Sequence, residues 1–246
     1  MSFRVLHVDD DPLMRDVVEL ALSLDPAFTV ANCASGDEAL AVVAEWMPDL
    51  ILCDVMMPDM DGPALLARLR ESNATAEIPV IFMTTRALAS EIERLTALGA
   101  VAMIEKPFDP QTLAASVRRH LHAIKFAAGR NELPARLRAQ TVPVPPQAGR
   151  FAPPGYDFGG RLRADAATLA TFRAQLKDGP EARLVPEGLL SCVHKLAGAA
   201  GVFDFQAVSA TASALEDAII ESRDGRGTAG MVEANLDALL ECIERE

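Results

Sequence analysis

The chain has 246 residues, half of them hydrophobic, and a formal net charge of −12 at pH 7. That length holds two compact domains. The net charge is −9 over residues 1–127 and −5 over 159–246, so neither half has the basic footprint of a nucleic-acid-binding module.

Acids follow within the first ten residues, and no apolar run reaches the ~20 residues of a membrane span. A cytoplasmic protein without membrane insertion or nucleic-acid partners is expected. Cys33, Cys53, Cys192 and Cys242 are scattered, without metal-binding spacing. The first three read as buried small hydrophobes in a reducing compartment.

In chain order, short apolar runs at 3–8, 28–33, 49–54, 79–84 and 101–105 alternate with helical patterns at 12–24, 36–46, 62–71, 88–98 and 110–127. Five strands alternating with five helices predict βαβ units, hence a doubly wound parallel sheet covered on both faces. Ligands of such sheets bind at the carboxyl ends of the strands. Asp9 and Asp10 after the first strand, Asp54 and Thr84 ending the third and fourth, and Lys106 after the fifth all fall there.

Asp11 before Pro12 fits a helix N-cap with proline at the first helical position. Asp9 and Asp10 have no such task. Beside Asp54 they crowd carboxylates into one cleft, which raises their pKa values unless a cation neutralises them. A hard divalent ion with oxygen ligands, Mg²⁺ or Mn²⁺, meets that need and would offset the charge of an incoming phosphoryl group. Lys106 and the Thr84 hydroxyl would hold the remaining phosphoryl oxygens. Ordinary loop acids are the alternative for any one of these residues, but the whole set at one sheet edge argues for the site.

The strings VDDDP, PDLILCDVMMPDMDG, IPVIFMTT and GAVAMIEKPF, together spanning residues 1–127, resemble a response-regulator receiver domain. The resemblance implies a flavodoxin-like fold and Asp54 as phosphoacceptor. It implies Mg²⁺ held by Asp10, Asp54 and the Met56 carbonyl, with Asp9 acting through the metal's water shell. It also implies phosphoryl contacts from Thr84 and Lys106, and a cis bond between Lys106 and Pro107. The chain departs at Met103, where many relatives have an aromatic residue.

Residues 128–158 are dense in proline, which disfavours helix and predicts a semi-rigid spacer. A short helix around 132–139 is allowed. From 159 onward strand patterns stop. Helices fit 161–178, 182–201, 204–223 and 228–245, which predicts an antiparallel four-helix bundle over 159–246.

On the second of these helices Leu189, Val193, Leu196, Ala200 and Phe203 form the buried seam. His194 lies ~100° round the helix from Val193, on the flank, where the ring is expected to reach solvent. Ala197, Gly198 and Gly201 are small enough to clear space around it. A surface histidine beside a tight helix crossing is the plainer reading. His120 and His122 fit a cation near the end of the fifth helix, and His7 a buried strand position.

The string HKLAGAAGVF, through His194, Leu196, Gly198 and Gly201, resembles the histidine phosphotransfer (HPt) domain pattern H-x-L-K-G with a second glycine following. It implies His194 as a phosphoryl acceptor and donor, with Lys195, Ala197, Gly198 and Gly201 forming the surface around it. Ala197 stands where the family often has lysine, and Lys195 points ~100° away from His194.

A receiver followed by an HPt domain implies a two-component phosphorelay protein, with a sensor histidine kinase and other receiver domains as partners. No ATP-binding kinase core is visible, so the chain is expected not to phosphorylate itself from ATP. Two rivals stand beside this reading. In one, Asp54 phosphorylation switches a bundle that is never phosphorylated. In the other, the bundle is a homodimerisation module.

Overall fold

Each apolar run of the N-terminal half forms a strand: β1 (Phe3–Val8), β2 (Phe28–Cys33), β3 (Leu50–Asp54), β4 (Val80–Thr84) and β5 (Ala102–Glu105). Between and after them run α1 (Pro12–Ser23), α2 (Gly36–Trp46), α3 (Gly62–Arg70), α4 (Ala89–Ala97) and α5 (Pro110–Ala128). The computed structural model describes residues 2–85, 89–128, 141–142, 156–178, 185–186 and 188–246. It divides into two units, Met1–Gln147 and Ala148–Glu246.

The sheet of the first unit is parallel, in the order β2-β1-β3-β4-β5-β6. β3 and β4 are buried along their whole length, as central strands between two helical layers must be. The chain reverses its direction of growth between β1 and β3, so the ends of those two strands form a crevice. One expectation needs correction. The sheet has a sixth strand, β6 (Thr141–Val142), where only a spacer was predicted. Thr141 lies opposite Met103 and Val142 opposite Ile104. A β-branched pair suits the open edge that β5 otherwise presents. Residues 129–140 and 143–155, with the suggested helix at 132–139, lie outside the described residues.

The second unit consists of α6 (Phe158–Asp178), α7 (Leu189–Val202), α8 (Gln206–Arg223) and α9 (Ala229–Glu244). Each packs on the next, and α9 closes back on α6. Leu169, Leu189, Val193, Leu196, Val208, Ala212, Leu215, Ile219, Val232, Leu236 and Leu239 are all fully buried in the core, following the predicted seam spacing.

Two boundaries shift. α6 begins earlier than expected, because Asp157 Oδ1 accepts from the Gly160 N–H (2.9 Å) and Phe158 stacks on Phe203 at 4.7 Å. α7 begins at Leu189 rather than at 182. Among the described residues, Pro186 accepts from the Leu189 N–H and Gly188 takes a left-handed φ of 86°, a backbone state that suits glycine. Among the described residues no helix is long and apolar enough to cross a membrane.

Candidate functional site

β1 ends in Asp9, Asp10 and Asp11, and each has a separate fate. Asp11 caps α1 as predicted: its carboxylate accepts from the Leu13 N–H at 3.0 Å, with Pro12 at the helix start. Asp9 turns inward, 1% exposed, and its Oδ1 accepts from the Asp11 N–H at 2.9 Å. Asp10 is half-buried, and its carboxylate joins those of Asp9 and Asp54. One oxygen of each of the three lies within 4.8 Å of the others.

Lys106 reaches this cluster from the end of β5. Its Nζ donates to Asp9 Oδ2 at 2.8 Å and to Asp54 Oδ1 at 2.9 Å, with all three side chains buried. Thr84, also buried, lies one residue past Met83, the register partner of Asp54. Its carbonyl accepts from the Lys106 N–H at 2.7 Å. The Lys106–Pro107 bond is cis, as the resemblance implied. Met56 is half-buried against the core just beyond Asp54.

The support beneath Asp54 is tight. The Gly62 N–H donates to the Val55 carbonyl at 3.0 Å, and a Cβ at Gly62 would lie 2.3 Å from the Asp54 carbonyl oxygen and 2.8 Å from Phe82. Only glycine lets α3 start this close to the strand that carries Asp54.

Electrostatics explain what the cleft lacks. Burial pushes the Asp9 carboxyl up to about 6; Lys106 pulls it down and Asp54 pushes it up. Burial by itself lowers Lys106, but attraction to Asp54 and Asp9 and their hydrogen bonds outweighs it, so the ammonium is held above its ordinary value. His7 is fully buried, with Nε2 3.9 Å from Asp9 Oδ2. Burial first, then Lys106, lowers it to about 3, so it is neutral at pH 7 and adds no cation. Among the described residues Asp9 and Asp54 share the Lys106 ammonium, with the Asp10 carboxylate beside them. That donor set, all oxygen and in net negative excess, suits a hard divalent cation and not a soft thiophilic one.

In the second unit His194 departs from expectation. Its ring is buried, 3% exposed, rather than on a solvent-facing flank. Nδ1 lies 3.0 Å from Glu216 Oε1 on α8. The ~100° step from Val193 carries the ring into the α7–α8 crossing, not out of the bundle. Ala197, Gly198 and Gly201 are buried too, and Lys195 is half-buried. The close approach that these small residues allow is made by α8. Ser209 Oγ donates to the Ala197 carbonyl at 2.7 Å, and Gln206 Nε2 to the Gly201 carbonyl at 3.3 Å. The expected surface around His194 is in this structure an internal helix contact.

A family model for the response regulator receiver domain matches residues 5–118, and one for the Hpt domain matches residues 162–246. The chain is a receiver domain followed by an Hpt domain. Similar curated proteins include the response regulator Rre1 of Synechocystis sp., 36% identical over 48% of this chain and 51% of its own length. Another is the transcriptional regulatory protein CseB of Streptomyces avermitilis, 35% identical over 53% of this chain and 54% of its own. The chain thus spans about half the length of the curated relatives it matches. Among solved structures, the chemotaxis response regulator CheY4 of Vibrio cholerae is 32% identical, covering 49% of this chain and 99% of that one, with a TM-score of 0.46. Receiver and Hpt modules in one chain are the parts of a two-component phosphorelay.

In the receiver, the structure brings Asp9, Asp10, Asp54 and Lys106 together as the sequence predicted. In the Hpt domain, sequence reasoning missed Glu216. The signal was present, since Glu216 stands four residues after Ala212 and three before Ile219, on the apolar face of α8. An acid at a seam position is rarely idle. Two smaller corrections concern other residues. His120 is buried and its pKa lowered by that burial, so it is not the helix-end cation expected. Cys33 and Cys53 are buried, whereas Cys192 is only half-buried.

Proposed function

We propose that this protein carries phosphoryl groups in a two-component relay, with Asp54 accepting one from a sensor histidine kinase and His194 exchanging one with receiver domains. The observation that carries the reading is the cleft in which Lys106 bridges Asp9 and Asp54 and the Asp10 carboxylate joins theirs. An Asp54 carboxylate oxygen forms a bond to phosphorus as the phosphorus–nitrogen bond of the kinase phosphohistidine breaks, its electron pair returning to that imidazole. Lys106 then exchanges its bond to Asp54 for a phosphoryl oxygen, and the Thr84 hydroxyl donates to another. Asp10, Asp54 and the Met56 carbonyl would hold Mg²⁺ or Mn²⁺, with Asp9 acting through its water shell, and the ion would supply positive charge to offset the phosphoryl oxygens.

Transfer through His194 requires its buried ring to be uncovered when a partner receiver docks. The partner on the Asp54 side is a histidine kinase, and on the His194 side a receiver domain.

The test uses the full chain. With acetyl phosphate and Mg²⁺, intact mass should show one phosphate on the His194→Gln variant and none on Asp54→Asn. Mixed afterwards, the phosphorylated His194→Gln chain should pass acid-labile, alkali-stable label to the Asp54→Asn chain. Equal labelling of Asp54→Asn by acetyl phosphate would remove Asp54 as acceptor. A donor chain that keeps all its label in the mixture would remove His194.

A further inference from the structure

We infer that Glu19 and Asn32 position His7 at the back of the phosphorylation cleft: they keep its ring proton on Nδ1, so that a lone pair on Nε2, and no hydrogen-bond donor, faces Asp9. Asp9 is thereby left to the Lys106 ammonium and to a divalent cation. The inference rests on the cation-assisted phosphorylation proposed for Asp54. It gives a task to three residues outside the acidic cluster.

His7 lies inside β1, two residues before Asp9 and opposite Asn32 of β2. Its ring is fully buried, and Nδ1 lies 3.2 Å from Asn32 Oδ1. Asn32 Nδ2 in turn donates to Oε2 of the exposed Glu19, on α1, at 2.6 Å. At the other end of the ring, Nε2 is buried without a hydrogen-bond partner among the described residues. It lies 3.9 Å from Asp9 Oδ2, beyond hydrogen-bond reach. A polar path therefore runs from the surface of α1 towards the oxygen to which Lys106 Nζ donates at 2.8 Å.

Every atom on this path has a fixed role. A carboxylate only accepts, so the Asn32 atom facing Glu19 is the amide nitrogen. The other amide atom is then the carbonyl oxygen, which also only accepts, so the ring nitrogen facing it carries the hydrogen. Burial first, then the Lys106 ammonium, keeps the ring neutral at pH 7, with one ring proton. Nε2 is therefore an unprotonated acceptor. Asp9 by itself would draw the proton to Nε2, because a carboxylate attracts an N–H and repels a lone pair. The hydrogen bond to Asn32 opposes that pull, and the shorter distance lies on the Asn32 side. With the proton on Nε2, His7 would donate to Asp9 Oδ2 and compete for that oxygen with Lys106 and with a cation's water. With the lone pair there, the charge of Asp9 stays uncovered on this side, and the cleft keeps its attraction for a cation.

Polar contacts that only stabilise the fold would leave the ring tautomer and cation affinity unlinked, and this separates the two roles. The test uses the full chain and three variants. Asn32→Leu removes the acceptor beside Nδ1, and Glu19→Met removes the acceptor that orients the amide. Glu19→Gln keeps an acceptor oxygen and is the conservative control. Long-range ¹⁵N–¹H spectra of the metal-free chain read the His7 tautomer. Wild type and Glu19→Gln should show Nδ1–H, Asn32→Leu should show Nε2–H, and Glu19→Met should shift the same way. Calorimetric titration with Mg²⁺ at neutral pH should give an affinity about tenfold weaker in Asn32→Leu, and within about twofold of wild type in Glu19→Gln. Glu19→Met carries both readouts if Asn32→Leu does not fold. A wild-type Nε2–H tautomer overturns the inference, and so does an Asn32→Leu chain that keeps Nδ1–H. A moved tautomer with Mg²⁺ affinity still within about twofold of wild type overturns it too, since the ring then has no hold on the cleft. If wild type binds no Mg²⁺, the cation reading of the cleft fails and the positioning role fails with it. The spectra then still report whether Asn32 holds the ring.

Discussion

The acidic cleft of the receiver and the His194 site of the Hpt domain solve the burial of polar groups in opposite ways. In the cleft, residues from three strand ends meet, with three carboxylates gathered beside the Lys106 ammonium. At His194 one imidazole meets one carboxylate across the α7–α8 crossing, Nδ1 at 3.0 Å from Glu216 Oε1. The first site gathers like charges at one sheet edge. The second is buried at rest. This is the expected division of labour in a relay, where the receiver holds most of the charge chemistry and the histidine offers a nucleophile.

The largest break in that comparison should come from Lys106→Met. Removing the ammonium that bridges a buried carboxylate pair leaves charge uncompensated, at a cost of about 3–5 kcal/mol. Trp46, the single tryptophan, packs against the receiver core, so its fluorescence during urea unfolding reports this domain alone. The loss should be large without metal and should shrink when Mg²⁺ is added. A change below about 1 kcal/mol in metal-free buffer would mean that the cleft is not held by this pair.

A sharper test uses pH. Asp9, raised to about 6 by burial, binds a proton that competes with the cation. The sign is that of a raised carboxylate pKa: protonation at Asp9 stabilises the metal-free fold at low pH, and this contribution is lost as pH rises from about 4 through about 6. Mg²⁺ affinity should therefore be nearly level above pH 7. Below pH 6 it should fall by about tenfold per unit. An affinity that stays level down to pH 4.5 would show that Asp9 is an ordinary carboxylate.

The smallest effect concerns access on the Hpt side. His122 is exposed whereas His194 is buried. Diethyl pyrocarbonate should modify His122 first and His194 about tenfold more slowly or less. Addition of a phosphorylated receiver should raise the His194 rate if docking uncovers the ring. Equal rates for the two histidines in the resting chain would show that the α7–α8 crossing opens readily.

How much was legible in advance differs between the two sites for a physical reason. Strand-end positions follow from a period of two and from parallel topology, so Asp9, Asp54, Thr84 and Lys106 could be brought to one edge without knowing any contact. The Asp11 cap is local chemistry and was equally readable. The close packing under Asp54 at Gly62 is a contact between α3 and β3, which periodicity does not report. On a helix, spacing says that His194 flanks the seam but not which neighbour lies on that flank. Burial of His194 and its pairing with Glu216 therefore waited for the crossing of α7 and α8.

By itself the sequence determined the two modules, the alternation that builds the sheet, the four-helix pattern and the carboxylate edge. These rest on periodicity, capping and charge, all local properties. Only the tertiary structure decided that Lys106 bridges Asp9 and Asp54, that Thr141–Val142 joins the sheet beside β5, and that His194 faces inward to Glu216. Each of these is a choice between neighbours far apart in the chain, and packing and desolvation make that choice once the elements are assembled.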